Sequence, residues 1–116
     1  MLKVAKEDDK YLVSLFQVSK LNTLFSELIS QQLNNLVSVS GRHVIFNLHG
    51  VSFIDSEGFR TLLKASEIAT AVGSSFQLCN ISSEVSDLIE LTNLRGSFNI
   101  VESLDLKEKI ILELDD

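Results

Sequence analysis

Proline and tryptophan are absent from this 116-residue chain, and it holds a single cysteine. One cysteine cannot close an internal disulfide or build a thiolate zinc site. A disulfide-stapled secreted scaffold is thereby excluded, and a reducing compartment, the cytoplasm, is expected. Basic residues are also scarce: ten Lys and Arg against sixteen Asp and Glu leave a net charge of −6. That sign is wrong for a protein held to nucleic acid by counterion release, or for a polybasic membrane-surface binder. No run of 18 apolar residues exists, so no membrane span and no direct membrane insertion are expected. The charged N-terminal stretch lacks the apolar centre of a secretory signal. No linker composition and no internal repeat divides the chain, so one domain over residues 1–116 is expected.

Apolar residues make up 45% of the chain, an ordinary globular share. Residues 2–5 and 11–16 are rich in strand formers and predict a hairpin. Leu21, Leu24, Phe25, Leu28, Ile29, Leu33, Leu36 and Val37 recur at three and four residues, the stripe of an amphipathic helix that Asn22 or Ser19 could cap. Residues 43–48 form a nearly continuous apolar run, which suits a strand covered on both faces. A loop follows over 49–55. Phe59, Leu62, Leu63, Ser66 and Ala69 then mark a second helix, stopped by Gly73. Residues 76–81 predict a strand, and Val85, Leu88, Ile89 and Thr92 a third helix capped by Ser82 or Ser83. Residues 98–101 predict a last strand. Residues 103–114 predict a fourth helix, with Asp105 and Glu108 spaced as a capping box. The order β-β-α-β-α-β-α-β-α implies an α/β fold: a mixed, mostly parallel sheet with an antiparallel edge hairpin, packed with about four helices.

The chemical inventory is thin. His43 and His49 lie at the two ends of one strand, without the spacing that puts two metal ligands on a helical face. Cys79 sits within a strand, where a free cysteine is commonly a small buried hydrophobe. There is no phosphate-cradling glycine loop and no dinucleotide fingerprint. Neither a metal nor a cofactor is expected, and no catalytic set is visible. The informative stretch is Val51-Ser52-Phe53-Ile54-Asp55-Ser56-Glu57-Gly58-Phe59, which joins the buried strand to the second helix. Loops at the carboxyl ends of parallel strands are where open α/β sheets place their sites. Asp55 or Ser56 would cap the helix, and Glu57 suits the positive end of its dipole. Asp-Ser-Glu-Gly is thus a sound helix start in its own right. The same geometry presents a serine at the surface, where a phosphoryl group would add about −1.5 to −2 charges beside two carboxylates.

The stretch from Phe46 to Phe59 resembles the signature of the STAS domain, found in bacterial anti-sigma-factor antagonists and in the tails of sulfate transporters. Gly73 to Asn80, the Leu88 to Leu94 helix end and the segment from Phe98 to Glu108 resemble later parts of the same family. The resemblance implies a four- to five-stranded sheet backed by helices, and a binding module with no enzyme activity. In the antagonist branch the serine directly after the aspartate, Ser56 here, is phosphorylated by a partner serine kinase that is also the anti-sigma factor. The unmodified antagonist binds that kinase and frees the sigma factor, the modified form lets go, and a phosphatase resets it. The partner-binding residues implied are Asp55, Ser56, Glu57, Gly58 and Phe59. Three positions depart from the family's pattern. Glu57 replaces a usual second Ser or Thr, Asn47 replaces a strand aspartate, and residues 16–23 lack the usual Gly-Glu-Leu-Asp-like run. A constitutive adaptor, such as the STAS subunit of a lipid-transport ATPase complex, therefore stands as the alternative.

Overall fold

In the computed structural model, which describes residues 2–15, 19–21 and 23–101, the chain opens as an antiparallel hairpin. β1 (Leu2–Glu7) and β2 (Lys10–Leu15) pair from Leu2 opposite Leu15 to Glu7 opposite Lys10. Asp8 and Asp9 are the whole turn, and Asp8 takes a φ of 56°. Aspartate tolerates left-handed backbone better than most residues, so the hairpin closes without a glycine. Two further short strands follow, β3 (Lys20–Leu21) before α1 (Thr23–Val37), and β4 (His43–Asn47) after it. β5 (Phe53–Ile54) leads into α2 (Ser56–Val72), which is followed by β6 (Ser75–Cys79), α3 (Ser83–Leu91), a 3-10 turn (Arg95–Ser97) and β7 (Asn99–Val101).

The result is a five-stranded mixed sheet in the order β1-β2-β4-β6-β7. The hairpin pair is antiparallel, and β2–β4, β4–β6 and β6–β7 are parallel. Three α-helices lie among the described residues, not four. The expected helix over 103–114, with Asp105 and Glu108, falls outside them, as do Phe16 and the candidate cap Asn22. The stretch expected as plain loop over 49–55 contains β5, which pairs with β3 as a separate two-stranded parallel ladder. Two-residue strands carry no periodicity, so nothing in the sequence pattern marks them.

Hydrophobic alternation decides where each element packs. On one face of the sheet Val13, Val44, Phe46, Phe76 and Leu78 meet Ile29, Leu33 and Val37 of α1, Leu62, Ala65 and Ala69 of α2, and Val85 and Ile89 of α3. On the other face Leu12, Ile45 and Cys79 are also buried, with Ala5 and Val101 beside them. Both faces of β4 are therefore covered, as its continuous apolar run predicts. Cys79 is the small buried hydrophobe that the sequence suggests.

The helix ends explain the breaks in the chain. Gly73, at φ 81°, caps α2 in the left-handed conformation that only glycine adopts freely, and its N–H donates to the Ala69 carbonyl. Ser82, rather than Ser83, caps α3, its Oγ accepting from Val85 N–H at 3.1 Å. The last carbonyls of α1 are held from outside the helix: Arg42 Nη1 donates to Leu36 O and Ser74 Oγ to Val37 O.

Phe46 sits at the centre, fully buried and edge-on to Phe76 at 6.4 Å between ring centroids. Phe46→Ala is expected to remove about 3–5 kcal/mol of stability, combining lost transfer energy with a cavity. Urea unfolding followed by circular dichroism measures it, and a shift of less than about 1 kcal/mol would contradict this account of the core.

Candidate functional site

The loop after β4 is fastened at both ends and in the middle. Leu48 N–H donates to Cys79 O across the carboxyl ends of β4 and β6, and Val51 N–H turns back to Leu48 O. Gly50, at φ 85°, makes that turn possible. Asn47 is buried, and its Oδ1 accepts from His49 N–H at 3.0 Å and from Asn80 Nδ2 at 2.9 Å. An amide at this position joins the two strand ends with neutral hydrogen bonds. Ser82 Oγ also donates to Val51 O, tying the loop to the start of α3.

The second half of the loop rests on β3. Ser52 N–H donates to Ser19 O at 2.8 Å, and Asp55 N–H to Leu21 O at 3.1 Å. Ser19 is thus a support for this loop. An extended segment sends successive side chains to opposite faces, so Ile54 is buried and Phe53 stands out, 42% exposed. Sequence reading did not place Phe53 on the surface, because a two-residue strand shows no alternation that would mark it.

Asp55 is the N-cap of α2. Its backbone is extended and its Oδ1 accepts from Gly58 N–H at 2.8 Å, which resolves the choice between Asp55 and Ser56. Ser56 is therefore the first residue of the helix, exposed, with a hydroxyl that the cap does not need. Glu57 follows, half exposed and paired with Arg60 one turn on. The next two residues turn inward. Gly58 is buried under the β3 backbone, where a β-carbon would lie 2.5 Å from Leu21 O and 2.8 Å from an Ile54 methyl. Phe59 is 5% exposed and packs against Phe98 at 6.4 Å. Gly58 and Phe59, expected among the partner-binding residues, are turned toward the core by helical periodicity and hold the site from beneath. Asp55, Ser56 and Glu57 remain at the surface.

Beside this turn, α1 and α2 leave an open groove of about 530 Å³. Glu27, Ser30 and Gln31 line one side, and Glu57, Arg60 and Lys64 the other. Arg60 and Lys64 were not singled out from sequence, since a helical charge run ordinarily reads as a solvated face.

The opposite end of the sheet brings together three residues that the sequence keeps far apart. His43 Nδ1 lies 2.8 Å from Ser75 Oγ, and its Nε2 lies 3.6 Å from Asp9 Oδ2. A Ser, His and Asp in contact invite comparison with a hydrolytic triad. The backbone donors around them are already used: Gly41 N–H bonds Gly73 O, Gly73 and Ser74 N–H bond Ala69 O, and Ser75 N–H bonds Arg42 O. None of these amides is left to stabilise an oxyanion. The contact instead links the starts of β4 and β6 to the hairpin turn. His49 is exposed, and no group of three His, Cys, Asp or Glu among the described residues is placed to hold a metal.

Comparison with known proteins gives a consistent result. The family model of the STAS domain matches residues 4–106. An anti-sigma-factor antagonist (STAS) domain protein from Planctomyces limnophilus superposes with a TM-score of 0.80 at 17% identity, covering 97% of each chain. The phosphorylated form of the Bacillus cell fate determinant SpoIIAA gives 0.66 at 18% identity, covering 97% of this chain and 99% of that one. The murine anion transporter solute carrier 26 family member A9 gives 0.70 at 19% identity, covering 97% of this chain but 19% of the transporter. At such identities the likeness is one of fold. No helix among the described residues is long and apolar enough to cross a membrane.

Gly58→Ala is expected to destabilise the domain by about 1–3 kcal/mol, because the added methyl must displace backbone and not a flexible side-chain tip. Asp55→Ala is expected to cost about 0.5–2 kcal/mol through loss of the cap. Denaturant unfolding measures both, and amide spectra of the Gly58 variant should show shifts at Leu21 and Ile54; an unperturbed Leu21 amide would refute the close approach.

Proposed function

The chain belongs to the STAS domain family, and from that premise we propose that it is a protein-binding module of the anti-sigma-factor antagonist kind, switched by phosphorylation of Ser56. The observation that carries the reading is the separation of roles at the start of α2. Asp55 caps the helix, so Ser56 is exposed at the first turn and free of structural duty. A kinase can modify such a hydroxyl without unfolding its carrier, and the helix dipole tolerates the added anion. A solved structure of the same fold is that of SpoIIAA in a phosphorylated form, which supports a fold that persists under modification.

The binding surface in this reading is formed by Asp55, Ser56 and Glu57 together with the exposed ring of Phe53. The partners are a serine kinase that doubles as anti-sigma factor, and a phosphatase that restores the hydroxyl. A phosphoryl group at Ser56 brings charge to the middle of that surface and desolvates poorly against a partner without a matching cation. The module itself binds and does no chemistry. The cytoplasm is the compartment in which such partners meet it.

A constitutive adaptor in a transporter complex is the second reading. It is favoured by the carboxylate at Glu57, by the missing Gly-Glu-Leu-Asp-like run, and by the shared fold of the murine transporter. In that case Ser56 is only a contact residue.

Protein purified from its native cells under growth, starvation and stress, then peptide-mapped across residues 51–64, separates the two. Phosphate on Ser56 in any condition is expected from the switch; its absence in all three favours the adaptor. Ser56→Ala should leave stability within about 0.5 kcal/mol, since it is not the cap, and should abolish phosphate uptake. Ser56→Asp should weaken binding to the kinase while the fold is kept. Phe53→Ala should weaken it also, by about tenfold or more if the ring is a central anchor. Calorimetry on the purified pair measures each.

A further inference from the structure

A permanent carboxylate next to an acceptor serine poses an electrostatic question, because it places an anion where modification is meant to introduce one. The structure gives an answer. Glu57, 43% exposed, is ion-paired with Arg60, which is 68% exposed. Arg60 is three residues from Glu57 and four from Ser56. On a helix both spacings make neighbours, with β-carbons about 5–6 Å apart. One guanidinium thus has two anion positions within reach, and on the unmodified chain only one of them is charged.

We infer that Arg60 is an exchangeable counter-ion: when Ser56 carries a phosphoryl group, the guanidinium leaves Glu57 and clamps the phosphate. The inference rests on the reading of Ser56 as a phosphorylation site. The competition is unequal. A phosphoserine brings about −1.5 to −2 charges and three acceptor oxygens, against one charge and two oxygens on the carboxylate. The planar fork of arginine bonds phosphate with two parallel N–H groups. The dipole of α2 favours the same anion at its first turn.

The exchange gives Glu57 a role. In the unmodified protein its charge is covered, so it does not imitate a phosphate. In the modified protein it is uncovered within the groove between α1 and α2, with Glu27 facing it from α1 and Lys64 further along α2. One modification therefore alters the surface at two places: a phosphate whose charge Arg60 meets only in part stands at Ser56, and a carboxylate is released at Glu57. Among the described residues, Lys64 is the other cation lining this groove, and it lies eight residues from Ser56, a full turn beyond Arg60.

The test uses the full chain with phosphoserine placed at position 56 during translation, so no kinase is needed. In a phosphorus-31 titration, Arg60→Gln is expected to raise the second pKa of the phosphate by about 0.3, and Lys64→Gln by less than about 0.1. In nitrogen-15 spectra of the arginine side chains, Glu57→Gln should shift the Arg60 Nε–Hε signal in the unmodified protein and leave it unmoved in the phosphoprotein. A phosphate indifferent to Arg60→Gln overturns the exchange. So does an equal response to Lys64→Gln, which would mean a diffuse field and no clamp, or an Arg60 signal that follows Glu57 alike in both forms. Glu57→Gln is isosteric, and Arg60→Gln and Lys64→Gln shorten exposed side chains on the helix surface, so folding is retained. Partner binding on the same samples keeps the two readings apart: a phosphoprotein that binds as tightly as the unmodified chain overturns the switch, while the spectra still decide the exchange.

Discussion

The carbonyl of Leu21 is the point on which the site turns. It accepts the N–H of Asp55 and lies directly beneath Gly58, too close for any β-carbon. That contact fixes the height and rotation of the first turn of α2. With Gly58 held against β3, the 100° step per residue of a helix decides the rest. Phe59 falls inward onto Phe98, and Ser56 and Glu57 fall outward. Asp55, held by its own N–H, is left with a side chain aimed along the helix, where it becomes the cap. A displayed serine is therefore the result of a packing constraint one turn away.

The residues around the site divide by what they face. Asn47, Ser82, Leu21 and Gly58 shape the loop from within through hydrogen bonds and close backbone approach. Phe53, Ser56, Glu57 and Arg60 are what the solvent meets. Substituting the first group alters the folding equilibrium, whereas substituting the second alters what the surface attracts. The position of the loop, beyond the carboxyl ends of β4 and β6, is where an open parallel sheet leaves a crevice between its connections.

Much of this was legible in the residues. The hairpin, the doubly covered strand β4, the stripes of α1 and α2, and the glycine stop at Gly73 follow from periodicity and from backbone freedom. The ladder of β3 and β5 did not, because two residues cannot display a period and their pairing joins positions more than thirty apart. The site was located as a segment by its position between a buried strand and a helix. Its inner and outer members were not separated, since Gly58 and Phe59 look like signature residues until the rotation of the helix is known. The Glu57–Arg60 pair was hidden for the opposite reason: charged residues three apart on a helix are commonplace, and only the neighbouring serine makes the pair informative.

The strands of the main sheet lie side by side in the order in which the chain presents them, β1-β2-β4-β6-β7. No strand is inserted between two that precede it. A chain emerging from synthesis can therefore lay each strand against an edge already present, beginning from a hairpin whose contacts are local. The serine loop follows the third strand of that series, but two of its fastenings, Cys79 O and Ser82 Oγ, arrive some thirty residues later. Until the fourth strand docks, the loop has only its β3 side to hold it. The first half of the loop is thus fastened only once the sheet has closed as far as β6, while the turn that carries Ser56 is already set against β3.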